Sequence, residues 1–281
     1  MNLAIKINRQ RWVSYPRDVA FPRQFKEVYP FRGRGVVSRA LFFLHESKLD
    51  RIFLCKDAPP LPFDDVAWFW PSSKRSVNRF YGYRLNDGYV RGYIKVAIGG
   101  EEGHRLEREV DNVRTIASKA PKTFKVPKCI ACRAMGEYLL AEFEPLPEDS
   151  HDIPDSNDVL GKVCVAREEI ASFGYSHGDF LSHNVKLAHD GLWIIDWEEM
   201  SQNATRLLDQ VSFETAFMFF HRHKSLNEVC DWFAESYLTD AERVKDAIAA
   251  LKSMASRRVG LGGMMLEHFW KDETLRKLMN D

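Results

Sequence analysis

Asp179, Asn184 and Asp196 are the side chains of this sequence best suited to do chemistry together. They stand in Ser-His-Gly-Asp-Phe-Leu-Ser-His-Asn-Val-Lys-Leu-Ala-His-Asp-Gly-Leu-Trp-Ile-Ile-Asp-Trp-Glu, residues 176–198. Asp179 and Asn184 are five apart, in a segment with too many polar residues to be core. One carboxylate can orient a hydroxyl and accept its proton. An amide and a second carboxylate can hold a hard cation through oxygen. That division of labour suits phosphoryl transfer, where catalysis is mostly positioning and charge neutralisation. Two other readings stay open. The segment can be a surface loop with a chance Asp and Asn, or His177, Asp179, His183 and Asp196 can be ligands in a metal-dependent hydrolase.

The flanking elements must bring the three residues together. Two apolar runs, 185–188 and 192–195, are joined by His189-Asp190-Gly191. Asp-Gly between apolar runs is a strong hairpin signal, and a hairpin folds Asp196 back beside the loop of Asp179 and Asn184. A helix over 158–172, with Val159, Val163, Ala166 and Ile170 inward and Gly174 as its stop, leads into that loop. Helical periodicity continues downstream. A helix over 207–221 carries Leu208, Val211, Thr215 and Met218 on one face. Thr239-Asp240-Ala241-Glu242 reads as a capping box for a helix with Val244, Ile248, Leu251 and Ala255 inward, and Gly260 sits just past its end. A last helix is expected over 264–278, and Trp232 and Trp270 read as core.

Upstream, strands are expected at 66–70, 79–85, 89–98, 126–132 and 137–143, a five-stranded sheet. Lys95 lies inside the third, flanked by Tyr93-Ile94 and Val96-Ala97, where a lysine is costly to bury unless paired. The following helix, 102–118, has the apolar stripe Leu106, Val110, Val113 and Ala117. Glu109 sits beside that stripe, about 60° from Leu106, and Glu107 points away. Glu109 is therefore the expected partner of Lys95. The alternative for Lys95 is an edge-strand solubility lysine. The basic loop 71–76, Pro-Ser-Ser-Lys-Arg-Ser, contains no glycine.

The stretch 177–196 resembles the catalytic core of the protein-kinase-like small-molecule kinases, the family of aminoglycoside phosphotransferases and choline kinases. The shared pattern is His-Gly-Asp, an Asn five residues after the Asp, and Ile-Asp after a hairpin. The resemblance implies a two-lobed α+β kinase-like fold with a helical second lobe and a site between the lobes. It implies Asp179 as catalytic base, Asn184 and Asp196 as magnesium ligands, and Lys95 on the α/β-phosphates of ATP, paired with Glu109. Ser73 and Lys74 fall in the place of the phosphate-covering loop. Phe143 falls at the hinge, beside adenine. Asp209 resembles the family's second Asp, which braces the catalytic loop, and Glu198 in Asp-Trp-Glu resembles the choline-kinase-like form of the motif. The implied activity is transfer of the γ-phosphate to a hydroxyl of a small molecule or saccharide, with a cationic alcohol as second acceptor class. A catalytically silent kinase-like binding module is the further alternative. Protein-kinase activity ranks lower, because no Ala-Pro-Glu follows Asp196.

The 281 residues suit one large domain or two lobes. The expected division is an N-terminal extension over 1–60, a small lobe over 61–144, and a mainly helical lobe over 145–281. Lys and Arg total 40 against 40 Asp and Glu, so no global pull toward nucleic acid or membrane exists. Residues 1–80 hold 15 Lys/Arg and 7 Asp/Glu, an excess of 15 − 7 = 8. A helix expected over 36–49, with Leu41, Leu44 and Leu49 inward, has Arg32, Arg34 and Arg39 at its entry. This basic region offers peripheral contact with an anionic partner, and the proline-containing stretch 58–62 reads as a rigid connector. Residues 144–158 hold six acids and no Lys or Arg. The N-terminus has no signal-peptide core, and the longest apolar runs are far too short to span a bilayer. Five cysteines, an odd number, point to reduced thiols in a cytoplasm. Cys129 and Cys132 form a lone C-x-x-C without a second pair for zinc. In an extended strand they would face opposite ways, as core cysteines.

Overall fold

Alternation of side chains on neighbouring strands builds the first sheet. The computed structural model describes residues 2–8, 11–16, 66–69, 78–86, 89–202, 205, 207–257 and 260–271. Among them the strands are β1 (Asn2–Asn8), β2 (Arg11–Pro16), β3 (Val66–Phe69), β4 (Arg79–Asn86) and β5 (Tyr89–Ile98). Helix α1 (Gly100–Ser118) precedes β6 (Phe124–Lys125), β7 (Cys129–Met135) and β8 (Tyr138–Phe143). Then follow β9 (His151–Asp152), α2 (Asn157–Ser172), β10 (Val185–Ala188) and β11 (Gly191–Ile194). The last helices are α3 (Leu208–Ala216), α4 (Leu226–Tyr237), α5 (Ala241–Arg257) and α6 (Leu261–Trp270). The architecture is mixed α+β. No described helix is long and apolar enough to cross a membrane.

The chain divides into two units, Met1–Arg114 with Pro127–Glu148, and Thr115–Val126 with Asp149–Asp281. In the first, an antiparallel sheet runs β1-β2-β3-β4-β5-β8-β7. The five strands expected from the sequence are thus part of a seven-stranded sheet among the described residues. The addition is the β1–β2 hairpin, whose second strand pairs with β3. Short strands in a charged N-terminal stretch gave too little alternation to reveal it. One face of the sheet packs Phe80, Ile94, Val96 and Leu140 together. The other carries Arg79, Tyr81, Tyr83, Tyr93, Lys95, Ala141 and Phe143, as the register Tyr81↔Lys95↔Ala141 and Tyr83↔Tyr93↔Phe143 requires. The buried stripe of α1 is Leu106, Glu109, Val110, Val113 and Ile116. Ala117 is exposed, so Ile116 takes the place expected of it.

The second unit holds the sheet β6-β11-β10-β9, with β6 parallel to β11. Val185↔Ile194 through Ala188↔Gly191 form the expected hairpin. Helix α2 buries Val159, Val163, Ala166 and Ile170 and is N-capped by Ser156, whose hydroxyl accepts from Val159 N. A second core gathers Leu208, Val211, Val229, Phe233, Tyr237, Leu251, Met265 and Phe269 from the four last helices. Helix α3 does not continue regularly to residue 221. From Phe217 the chain widens into a π-helical turn, Phe217–His221, in which Phe217 stacks on Phe213 and His221 on Phe217.

Four further expectations need correction. Trp270, read as core, is exposed at the end of α6. Asp240, not Thr239, caps α5: its carboxylate accepts from Glu242 N at 2.9 Å, while the Thr239 hydroxyl donates back to Glu235 O of α4. Gly260 opens α6 rather than closing α5, and α6 starts at Leu261 rather than 264. A bulge between Cys129 and Ala131 shifts β7 by one residue against β8. Cys129 then pairs with Phe143 and Cys132 with Ala141, so both half-buried thiols share the Lys95 face. Burial pushes both thiols up, and Arg114 opposes it.

Candidate active site

Each unit carries one cluster of chemically capable side chains. In the first, Lys95 on β5 and Glu109 on α1 meet across the sheet-helix interface. Lys95 is 5% and Glu109 2% exposed. The Lys95 Nζ donates to Glu109 Oε1 at 2.5 Å, the partnership read from the sequence. A buried ammonium is tolerated because a carboxylate faces it. Three rings surround the same Nζ, with centroids at 5.8 Å (Tyr81), 5.9 Å (Tyr93) and 5.9 Å (Phe143). Phe143, read as a neighbour of a nucleotide base, is buried beside Lys95. Sequence reading missed Arg79, which donates from Nη2 to Glu109 Oε2 at 2.9 Å and is 3% exposed. A buried arginine one residue from a masking aromatic run offers no pattern of its own. Ser73 and Lys74, with Arg32, Arg34, Arg39 and the stretches 36–49 and 58–62, lie outside the described residues.

In the second unit the loop of Asp179 is built around Asp209, at the start of α3. Its Oδ1 accepts from the Ser176 hydroxyl at 2.9 Å and from Gly178 N at 2.8 Å, and its Oδ2 accepts from His177 N at 2.7 Å. Gly178 has φ +84°, a conformation that favours glycine, so the turn before Asp179 depends on it. His177 is fully buried against Trp197 and Phe180. Its Nδ1 accepts from Asp179 N at 3.3 Å, which leaves Nε2 to donate to Ile195 O at 3.0 Å. The ring spans the loop and the strand end as a structural link.

Asn184 closes a short 3-10 turn, Ser182–Asn184. Its Nδ2 donates to Asp179 O at 2.9 Å and to the Asp179 carboxylate Oδ2 at 3.2 Å. The Asn184 backbone oxygen accepts from Ile195 N at 3.0 Å, continuing the β10–β11 ladder by one step. The hairpin thereby delivers Asp196 next to Asn184. Asp196 is left-handed, with φ 67° and ψ 59°, where Asp and Asn are the commonest residues after glycine. The 3-10 turn that follows buries Glu198, and the Asp196 and Glu198 carboxylates lie within 4.8 Å of each other. His183 is exposed. Asp179, Asn184 and Asp196 are therefore brought together, while His177 and His183 do not join them as ligands. The oxygen donors suit a hard divalent cation such as magnesium rather than zinc.

The acids of the connector pair within the molecule. Asp149 accepts from His189 N at 2.7 Å, Asp152 from Lys186 at 2.7 Å, and Asp158 from Lys162 at 2.7 Å. Asp155 holds Arg222 in a two-point contact at 2.9 and 2.8 Å. The Arg222 contact holds the Asp155 carboxyl below its ordinary range.

No protein-family model and no curated protein matches the chain. Among solved structures, the chain is similar to WbdD. In its high-resolution crystal structure the identity is 16% and the TM-score 0.44, over 74% of this chain and 52% of that one. In a medium-resolution structure of WbdD, described as a bifunctional kinase-methyltransferase, the identity is 15% and the TM-score 0.45, over 74% and 53%. In the monomeric form the values are 17% and 0.42, over 63% and 45%. The chain spans about half the length of these structures.

Proposed function

We propose that this protein is an ATP-dependent phosphotransferase that moves the γ-phosphate to a hydroxyl of a small molecule or saccharide. The observation that carries the reading is Asn184. One side chain holds the Asp179 carboxylate through its amide nitrogen, and its backbone holds the strand end that presents Asp196. Asp179 orients the acceptor hydroxyl and takes its proton as the oxygen attacks phosphorus. Asn184 and Asp196 hold magnesium, which supplies charge neutralisation on the phosphates when bound. Lys95, fixed by Glu109, contacts the α/β-phosphates, and Phe143 borders the base. Ser73 and Lys74 are assigned the covering loop. The two units form small and large lobes of a kinase-like fold, and the protein works in the cytoplasm.

The hydrolase reading loses support because both His177 ring nitrogens are engaged by backbone. A silent binding module has no use for a buried Lys95–Glu109 pair together with a held Asp179. A cationic acceptor is disfavoured because the connector acids that would gather it already hold His189, Lys186, Arg222 and Lys162. The test is ADP release from Mg-ATP by purified protein across a panel of saccharides and small alcohols. Acceptor-dependent turnover supports the proposal. Absence of nucleotide binding, or tightly bound stoichiometric zinc, overturns it.

A further inference from the structure

We infer that Arg79 is a positioning residue for nucleotide binding, which acts by holding Glu109 so that Lys95 stays presented to phosphate. This rests on the nucleotide reading of Lys95. Three observations carry it. Arg79 is as buried as the pair it joins, at 3% exposure. It takes the second oxygen of Glu109, Oε2 at 2.9 Å, while Lys95 takes Oε1 at 2.5 Å. The same guanidinium lies 3.6 Å from Glu102 through Nη1.

Glu102 and Glu109 are seven residues apart on α1, two turns along one helix face. Arg79 thus clasps the helix at two points from β4, while Lys95 clasps it at one from β5. The division of Glu109 has a chemical consequence. A carboxylate facing only a lysine is at liberty to draw the ammonium toward both oxygens. With Oε2 committed to a planar guanidinium, Glu109 meets Lys95 through one oxygen. The ammonium is then oriented without being enclosed by the carboxylate. Arg79 also makes outward movement of α1 unfavourable, since that movement would separate buried charges. The Lys95–Glu109 pair is therefore assembled before nucleotide arrives.

The experiment measures Mg-ATP affinity by calorimetry and steady-state KM and kcat, on the full chain, for wild type, Arg79→Met, Arg79→Lys, Lys95→Met and the Arg79→Met/Lys95→Met double variant. Arg79→Met is expected to raise the nucleotide Kd and KM roughly tenfold or more at undiminished binding stoichiometry. Arg79→Lys recovers part of the loss by restoring charge without the fork. In the Lys95→Met background the Arg79 change adds little, because its effect passes through Lys95. A purely structural role lowers stoichiometry and kcat while KM stays put, and that outcome overturns the proposal. Wild-type Kd in Arg79→Lys overturns it even where Arg79→Met does not fold. A wild type that binds no nucleotide overturns the kinase reading and this inference together, whereas intact wild-type binding with indifferent variants sinks this inference alone.

Discussion

At the scale of residues, which side chains meet was legible where type and spacing coincide. Asp179, Asn184 and Asp196 declared themselves because a turn signal between two apolar runs fixed their relation. Lys95 and Glu109 declared themselves because a strand lysine and a helix-stripe glutamate each need a partner. Arg79 was silent, since an arginine at the first position of a strand is ordinarily an exposed residue. Replacing Asp179 by Asn keeps shape and removes proton-accepting power. Turnover should fall by a factor on the order of 10²–10⁴ with nucleotide affinity little changed, and a near-normal rate in stopped assays would remove Asp179 from the role. Asp209→Ala leaves the buried amides of His177 and Gly178 and the Ser176 hydroxyl without their acceptor. At roughly 1–3 kcal/mol per orphaned group, thermal melting should drop by about 5 °C or more.

Element boundaries followed local signals, and errors arose where the signal was shared between neighbours. The inward set of α2 was readable to the residue because Val159, Val163, Ala166 and Ile170 recur at helical spacing. The start of α5 was misplaced because Thr239 and Asp240 are both good caps, and Thr239 is claimed by the preceding helix. A real capping box at α4 went unread: Ser225 Oγ accepts from Glu228 N, and the Glu228 carboxylate accepts from Ser225 N. Ser225→Ala should cost about 1 kcal/mol, visible as a lower melting midpoint. The same box is pH-sensitive. Hydrogen bonds from Lys224 and Ser225 hold the Glu228 carboxyl down at about 2, below its ordinary 4.5. A depressed carboxylate contributes stability above its unfolded value and loses it as pH falls. Midpoints measured between pH 4.5 and 2 should therefore decline less in Glu228→Gln than in the parent. Ala120, just beyond α1, has φ 50°. Ala120→Gly relieves a left-handed alanine and should raise the midpoint by about 1–2 °C.

For the molecule as a whole, composition described charge but not its destination. The acid run of 144–158 looked equally like a linker or a cation-gathering surface. Its partners were invisible because His189, Lys186 and Arg222 lie some 34 to 67 residues away. Pairing engages four of its six acids, Asp149, Asp152, Asp155 and Asp158, within the second unit. Neutralising Asp149, Asp152 and Asp155 together should leave the acceptor KM unchanged while lowering the melting midpoint. A large KM increase, relieved by salt, would restore the cationic acceptor class. The docking of β2 on β3 was hidden for the same reason, since it joins residues far apart in sequence.

The grip of Asp209 on the loop also sets a clock. His177 and Gly178 belong to no helix or strand, and amides in such places usually trade their hydrogens with solvent within moments. Here both N–H groups are buried and bonded to one carboxylate. Deuterium should enter them as slowly as it enters the centre of a helix, and both should fill together, each time the carboxylate lets go. The labelling rate of two loop amides thus counts how often the loop that holds Asp179 opens.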